Sequence, residues 1–230
     1  MKKTIIGPKD LREVLQFVSE VIANEEGRLN ALDAAIGDGD HGITVRIGFQ
    51  AIRKSVEDLP NGTDIPAILG HAGRSFMDAT GGAIGVILGR MLSCGEKALK
   101  GHETFGVDEL MCWLEAMEST ITAVGNAKPG DKTILDAVHA AKVAVSASVS
   151  QGRNDLVETL LAASRAADAA ARDTANMLCK VGRASRLGER VLGHPDPGAV
   201  TFSIILDSFY RWLREHSQEG SAARSSDSQV

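Results

Sequence analysis

Residues 8–22 read Pro-Lys-Asp-Leu-Arg-Glu-Val-Leu-Gln-Phe-Val-Ser-Glu-Val-Ile, and their spacing decides the fold class. Leu11, Val14, Leu15, Val18, Val21 and Ile22 fall on one stripe of an α-helix, whereas a half-buried strand would alternate apolar and polar residues strictly. Pro8 opens this helix and Asp10 is expected to cap it. The same spacing returns at about 42–58, 64–79, 83–100, 107–125, 132–150, 154–180 and 198–214. Pro60-Asn61-Gly62, Gly101, Lys128-Pro129-Gly130 and Gly152 break the chain between them. The pattern predicts an all-α, single-domain, up-and-down bundle of eight helices, since short connections make sequential helices antiparallel neighbours.

Composition agrees. Of 230 residues, 43% are apolar, 24% are charged and only 4% are aromatic, which suits a water-soluble helical domain rather than a sandwich of Val-, Ile- and Tyr-rich strands. A net charge of -5 argues against a general nucleic-acid binder, whose phosphate contacts need a concentrated basic surface. No apolar run approaches the ~20 residues of a membrane span, and the apolar stretch near the N-terminus is too short for a signal peptide and is broken by Pro8. Cys94, Cys112 and Cys179 lie far apart without a paired motif, so reduced thiols and a cytoplasmic location are expected. Residues 1–216 are expected to form the domain. The polar, Ser- and Ala-rich stretch 217–230 is expected to be disordered, because it has little apolar surface to offset its ordering entropy.

Chemistry concentrates in the breaks. Asp33-Ala34-Ala35-Ile36-Gly37-Asp38-Gly39-Asp40-His41-Gly42 places three carboxylates and a histidine on a glycine-rich turn between helices. Asp38 and Asp40, two apart in a loop, can converge on one hard cation, with Asp33 closing the cluster from the preceding helix; oxygen ligands suit Mg²⁺ or Ca²⁺ rather than Zn²⁺. The same letters also describe a solvated turn that merely caps the next helix. Two look-alikes fail. The Gly37, Gly39, Gly42 pattern follows a helix where a dinucleotide fingerprint needs a strand, and an EF-hand beginning at Asp38 would have Phe49 in place of its bidentate acid.

Thr80-Gly81-Gly82-Ala83-Ile84-Gly85 opens another helix, either as an anion site of exposed amides or as a close-packed turn. Gly125 to Thr133 is one residue away from a Walker signature and lacks the preceding strand, so a loop capped by Asp131 or Thr133 is the simpler reading. Gly182-Arg183-Ala184-Ser185-Arg186-Leu187-Gly188-Glu189-Arg190, continued by Gly193-His194-Pro195-Asp196-Pro197-Gly198, is long for a connection. Its arginines suit phosphate, while Asp196 equally suits capping of the final helix. In an up-and-down bundle alternate turns share one end, so one rim can gather acids, helix N-termini and an arginine, as a metal–nucleotide site requires.

Ile36 to Gly42, Gly81-Gly82-Ala83, Lys128 to Thr133, Gly182 to Ser185, Leu187 to Arg190, Gly193-His194 and Asp196 to Ala199 together resemble, in order, the nucleotide-binding L subunit family of dihydroxyacetone kinases. The resemblance covers nearly the whole chain. It implies an eight-helix barrel whose rim holds two Mg²⁺ ions and ADP or ATP. Asp33, Asp38 and Asp40 correspond to the metal ligands, and His41, Gly42, Ile43, Thr44, Gly82, Ala83, Gly125, Arg183, Asp196, Pro197 and Gly198 to positions around the nucleotide. Ile84 departs from the family, which commonly has Ser there.

The family's sugar is held by a separate K-type subunit through a covalent hemiaminal to a histidine, so the resemblance implies a phosphotransferase subunit acting on partner-bound dihydroxyacetone or a related short ketose such as erythrulose. No catalytic residue is expected on this chain beyond the metal–nucleotide site. The implied donor is exchangeable ATP, or a tightly held ADP rephosphorylated by a phosphocarrier protein of the sugar phosphotransferase system. The implied assembly is a homodimer or a heterotetramer. The alternative is a nucleotide-loaded regulatory partner of a transcription factor, a job the same surface could serve; ranked last is the nucleotide domain of a fatty-acid kinase, whose chains continue into further domains.

Overall fold

The computed structural model describes the backbone of residues 5–225 and the side chains of residues 5–217. Among the described residues the chain forms eight α-helices: α1 (Pro8–Ile36), α2 (His41–Glu57), α3 (Ile65–Ala79), α4 (Gly82–Ala98), α5 (Val107–Gly125), α6 (Ile134–Ser150), α7 (Leu156–Asp173) and α8 (Pro197–Ser225). Two 3-10 segments, Thr174–Asn176 and Arg183–Val191, lie between α7 and α8. Of the stretch 217–230, expected to be without order, the backbone is helical to Ser225 and the rest lies outside the described residues.

The expected bundle is a closed ring. Each helix packs on the one before and the one after it, and α8 packs on α1. Leu92, Trp113, Met117, Phe202, Leu206 and Phe209 fill its interior, and the amphipathic stripes of all eight helices supply the buried surface that stabilises it. Small residues set the closest approach. A Cβ on Gly73 of α3 would lie 2.3 Å from the carbonyl oxygen of Gly89 on α4, so these helices meet backbone to backbone.

Two local expectations are corrected. Asp10 is not the residue at the helix entry: Gly7 holds that place, and Asp10 reaches back from the first turn, its Oδ2 accepting from Gly7 N–H at 2.9 Å. The helix expected over 154–180 ends at Asp173, where the chain tightens into a 3-10 turn and the Thr174 hydroxyl donates to the Ala171 carbonyl at 2.5 Å.

Up-and-down order sorts the connections into two rims. One gathers 37–40, 80–81, 126–133 and 174–196. The other gathers 58–64, 99–106 and 151–155 with the start of α1, as two contacts illustrate: Ile6 pairs with Phe105 across a two-bond bridge, and Arg12 donates to the Leu59 and Pro60 carbonyls at 2.8 and 2.6 Å. No helix among the described residues is long and apolar enough to cross a membrane.

Candidate functional site

The acid loop is four residues long and is shaped by Asp33. From the last turn of α1, Asp33 Oδ2 accepts from Gly39 N–H at 2.8 Å and from Asp40 N–H at 3.1 Å, folding the loop back over the helix end. Gly39 has φ of +79°, a left-handed conformation that side chains rarely adopt. At Gly37 a Cβ would stand 2.3 Å from Asp33 Oδ1, so only glycine leaves that carboxylate its place. Asp33, Asp38 and Asp40 thereby offer one carboxylate oxygen each, all within 4.8 Å of one another.

Three acids this close repel one another. Loss of water and the neighbouring Asp38 charge raise the Asp40 carboxyl above its usual range, whereas a hydrogen bond from Arg183 holds Asp38 below it. The all-oxygen donor set, the mutual repulsion and the guanidinium drawn against it together fit a hard divalent cation. Arg183, which follows Gly182 (φ +73°) at the start of the second 3-10 segment, reaches Asp38 Oδ2 from the connection that adjoins α1. Four of the expected site residues, from two distant parts of the chain, therefore meet.

The rest of the α2 entry faces differently. His41 is buried, its Nε2 is 2.8 Å from Thr201 Oγ1 on α8, and desolvation lowers its pKa to about 4, so the ring is a neutral strut between helices rather than a metal ligand. Gly42 lies where a Cβ would come within 2.2 Å of the Glu26 carbonyl oxygen, seating α2 tightly on α1. Ile43 is exposed, and its N–H donates to Asn30 Oδ1 at 3.1 Å; Thr44 is half-buried one position on. Gly82 and Ala83 are exposed at the first turn of α4 on the same rim, and Gly82 has φ of +73°. Ile84 packs against the core, so this position offers apolar contact and no hydroxyl.

The Walker-like turn is internally satisfied. Asp136 accepts from Gly130 N–H at 2.5 Å and Thr133 N–H at 2.7 Å, Asp131 accepts from Lys128 N–H at 2.8 Å, and Thr133 caps α6. Carboxylates occupy the amides a phosphate would use, as the simpler reading expected, and Gly125 ends α5 beside them. Asp196 does cap α8, its Oδ2 accepting from Ala199 N–H at 2.8 Å. The residue is partly buried and its carboxyl is turned under the helix, where desolvation raises its pKa to about 7; Pro197 and Gly198 are buried behind it.

Asn30, Thr201 and Asp136 were missed as contributors. Asn30 lies one turn before Asp33 on the same face of α1, a spacing that could have marked it. Nothing local to Thr201 or Asp136 announces its role.

A model of the DAK2 domain family matches residues 35–211. The ADP-binding subunit DhaL of PEP-dependent dihydroxyacetone kinase 2 from Listeria innocua is 34% identical over 220 residues, which cover 94% of this chain and 99% of that protein. L-erythrulose kinase of Pectobacterium atrosepticum is 33% identical over 195 residues, 84% of this chain and 33% of that one. The crystal structure of the C. freundii dihydroxyacetone kinase in complex with AMP-PNP and Mg²⁺ matches with a TM-score of 0.66 at 26% identity, covering 87% of this chain and 33% of the other. The chain thus spans nearly all of the Listeria subunit but about a third of the two larger kinases. With the family model matching across most of the ring and the acid loop at its rim, the chain belongs to the DAK2 domain family.

Proposed function

We propose that this chain is the nucleotide-binding subunit of a short-ketose kinase, holding two Mg²⁺ ions and ADP or ATP at the acid-loop rim and passing a phosphoryl group to a sugar on a separate K-type subunit. The observation that carries this is the convergence of Asp33, Asp38 and Asp40 opposite Arg183. Divalent ions bound there would neutralise the oxygens of a polyphosphate and of the phosphoryl group in transfer. Asp33 keeps the loop folded with one oxygen and leaves the other for a ligand. Arg183 is placed to exchange Asp38 for a phosphate oxygen, a fork geometry that lysine lacks. His41, Ile43, Thr44 and Gly42 frame the α2 side of the nucleotide, Gly82 and Ala83 the α4 side, and Gly125 with the Asp196-Pro197-Gly198 turn the side between α5 and α8.

Dihydroxyacetone is the leading acceptor, supported by the end-to-end likeness to a dihydroxyacetone kinase subunit; erythrulose is the second, supported by the likeness to an erythrulose kinase. The phosphoryl donor is a phosphocarrier protein acting on retained ADP, a reading supported by the near-complete coverage of a PEP-dependent subunit. The working location is the cytoplasm, where the three free thiols stay reduced.

Mass spectrometry of the nucleotide carried through purification separates the donors: retained ADP supports the phosphocarrier route, and an empty, ATP-exchanging chain overturns it. Sugar phosphate should form only when a K-type subunit is added. Sustained turnover by the purified chain alone would refute the division of labour.

A further inference from the structure

Among the described residues, the charged side chain with the least exposure lies outside the acid loop. Lys132 is 1% exposed, and its Nζ donates at 2.5 Å to the Thr174 carbonyl and at 2.5 Å to the His194 carbonyl. These two residues are the ends of one excursion. Thr174 follows the last residue of α7, His194 precedes the entry to α8, and the chain between them carries Arg183 out to Asp38.

Neighbouring bonds close the same base. Gly193 N–H donates to the Ala175 carbonyl at 2.9 Å, and Asp196 N–H donates to Thr174 Oγ1 at 2.8 Å. Lys132 itself has φ of +61°, an uncommon conformation for a residue with a Cβ, and it aims the side chain inward from the turn before α6. Desolvation lowers its pKa, opposed by the carboxylates of Asp196 and Asp136. An ammonium so enclosed is costly, and an apolar side chain of similar volume would fill the space with less penalty. What an apolar side chain cannot do is bond two carbonyls at once.

We infer that Lys132 is a positioning residue for the rim: its buried ammonium clasps the two ends of the 174–194 excursion and so fixes where Arg183 stands relative to the acid loop. The link to ligand binding rests on the nucleotide reading above; the clasp itself does not.

The test compares wild type with Lys132→Met and with Leu160→Ala, a core variant of α7 used as a stability control under conditions that equalise the folded fraction. In the metal- and nucleotide-free chain, tryptic cleavage after Arg183, Arg186 and Arg190 should accelerate at least tenfold in Lys132→Met and not in the control. Calorimetry should then show at least tenfold weaker Mg-ADP binding in Lys132→Met alone. Unchanged cleavage overturns the clasp, and faster cleavage with unchanged Mg-ADP affinity overturns its positioning role. If wild type binds no Mg-ADP, the nucleotide reading falls and cleavage alone judges the clasp. Should Lys132→Met not fold, hydrogen exchange in wild type decides: Gly193 and Asp196 amides at least tenfold slower than those of Gly182 and Arg186 support a closed base, and equal rates overturn it.

Discussion

The Arg183 guanidinium lies against the Asp38 carboxylate, across 145 positions of sequence, and in doing so occupies the charge that a cation at the acid loop would take. The two ligands proposed for this rim would therefore meet Arg183 with opposite sign. A divalent ion must displace it from Asp38, whereas a polyphosphate gains it as a partner.

Arg183→Gln is accordingly expected to tighten divalent-ion binding in the absence of nucleotide and to weaken Mg-ADP binding by about tenfold, the scale of one charge-assisted hydrogen bond. Arg183→Lys should recover only part of the nucleotide affinity, because lysine acts as a point charge. Arg186→Lys, on the same excursion, is the control and should leave both unchanged. Titration calorimetry with Mg²⁺ alone and then with Mg-ADP reads each effect, and equal harmlessness of the Arg183 and Arg186 substitutions would reduce the excursion to a connection.

Asp38→Asn and Asp40→Asn each remove a charge and keep the shape of the loop. Both should abolish metal-dependent nucleotide binding while leaving the helical circular dichroism intact, since the loop is folded by Asp33 and not by either of them. Mg-ADP affinity at the wild-type level in Asp38→Asn would remove the acid loop from the site.

Much of this was legible in the sequence, for a definable reason. Helical spacing such as Leu11, Val14, Leu15, Val18 reports which face is buried, and eight such stripes with short breaks leave an up-and-down ring as the natural packing. Asp33, Asp38 and Asp40 are close in sequence, so their convergence needs only one tight turn. What spacing does not encode is which way a loop residue turns at a helix entry. His41 reads as a fourth member of the acid cluster, yet it points inward to Thr201. Lys132 reads as part of an ordinary capped loop, yet it turns inward and bonds two carbonyls of the excursion. Both outcomes depend on partners more than forty residues away, which no local pattern names.

Two titrations oppose each other in the metal-free chain. Asp196 is raised from 3.8 to about 7, so the folded state holds its proton more firmly than the unfolded chain, and stability falls as pH rises through that window. At about 1.4 kcal/mol per pH unit the loss is at most about 4 kcal/mol. His41 is lowered from 6.5 to about 4, so the unfolded chain binds the extra proton and stability falls as pH drops below 6.5. Asp196→Asn keeps the capping acceptor; its stability relative to wild type should grow between pH 4 and 7. His41→Gln should lose most relative to wild type near pH 7 and least near pH 4. Urea unfolding across this range checks both slopes.

Gly42→Ala tests the seat of α2. The added methyl would meet the Glu26 carbonyl oxygen at 2.2 Å and Asn30 Oδ1 at 2.8 Å, so α2 must move off α1 just where the acid loop ends. A loss on the order of 1–3 kcal/mol is expected from such overpacking, with weakened divalent-ion binding at temperatures where the chain stays folded. Thermal melts beside Mg²⁺ calorimetry separate the two, and an unaltered melt would show that the helices part without cost.

The start of α1 lies at the opposite end of the barrel from the acid loop, 29 helical residues away, or about 43 Å at 1.5 Å per residue. A domain spliced ahead of Pro8 would hang beneath the floor of the barrel, not over its mouth. To bring a tethered sugar carrier up to the phosphoryl group within one polypeptide, a linker must climb the outer wall, on the order of a dozen fully extended residues. A shorter tether cannot make that climb, so a carrier fused through one would meet the mouth of a neighbouring barrel and not of its own.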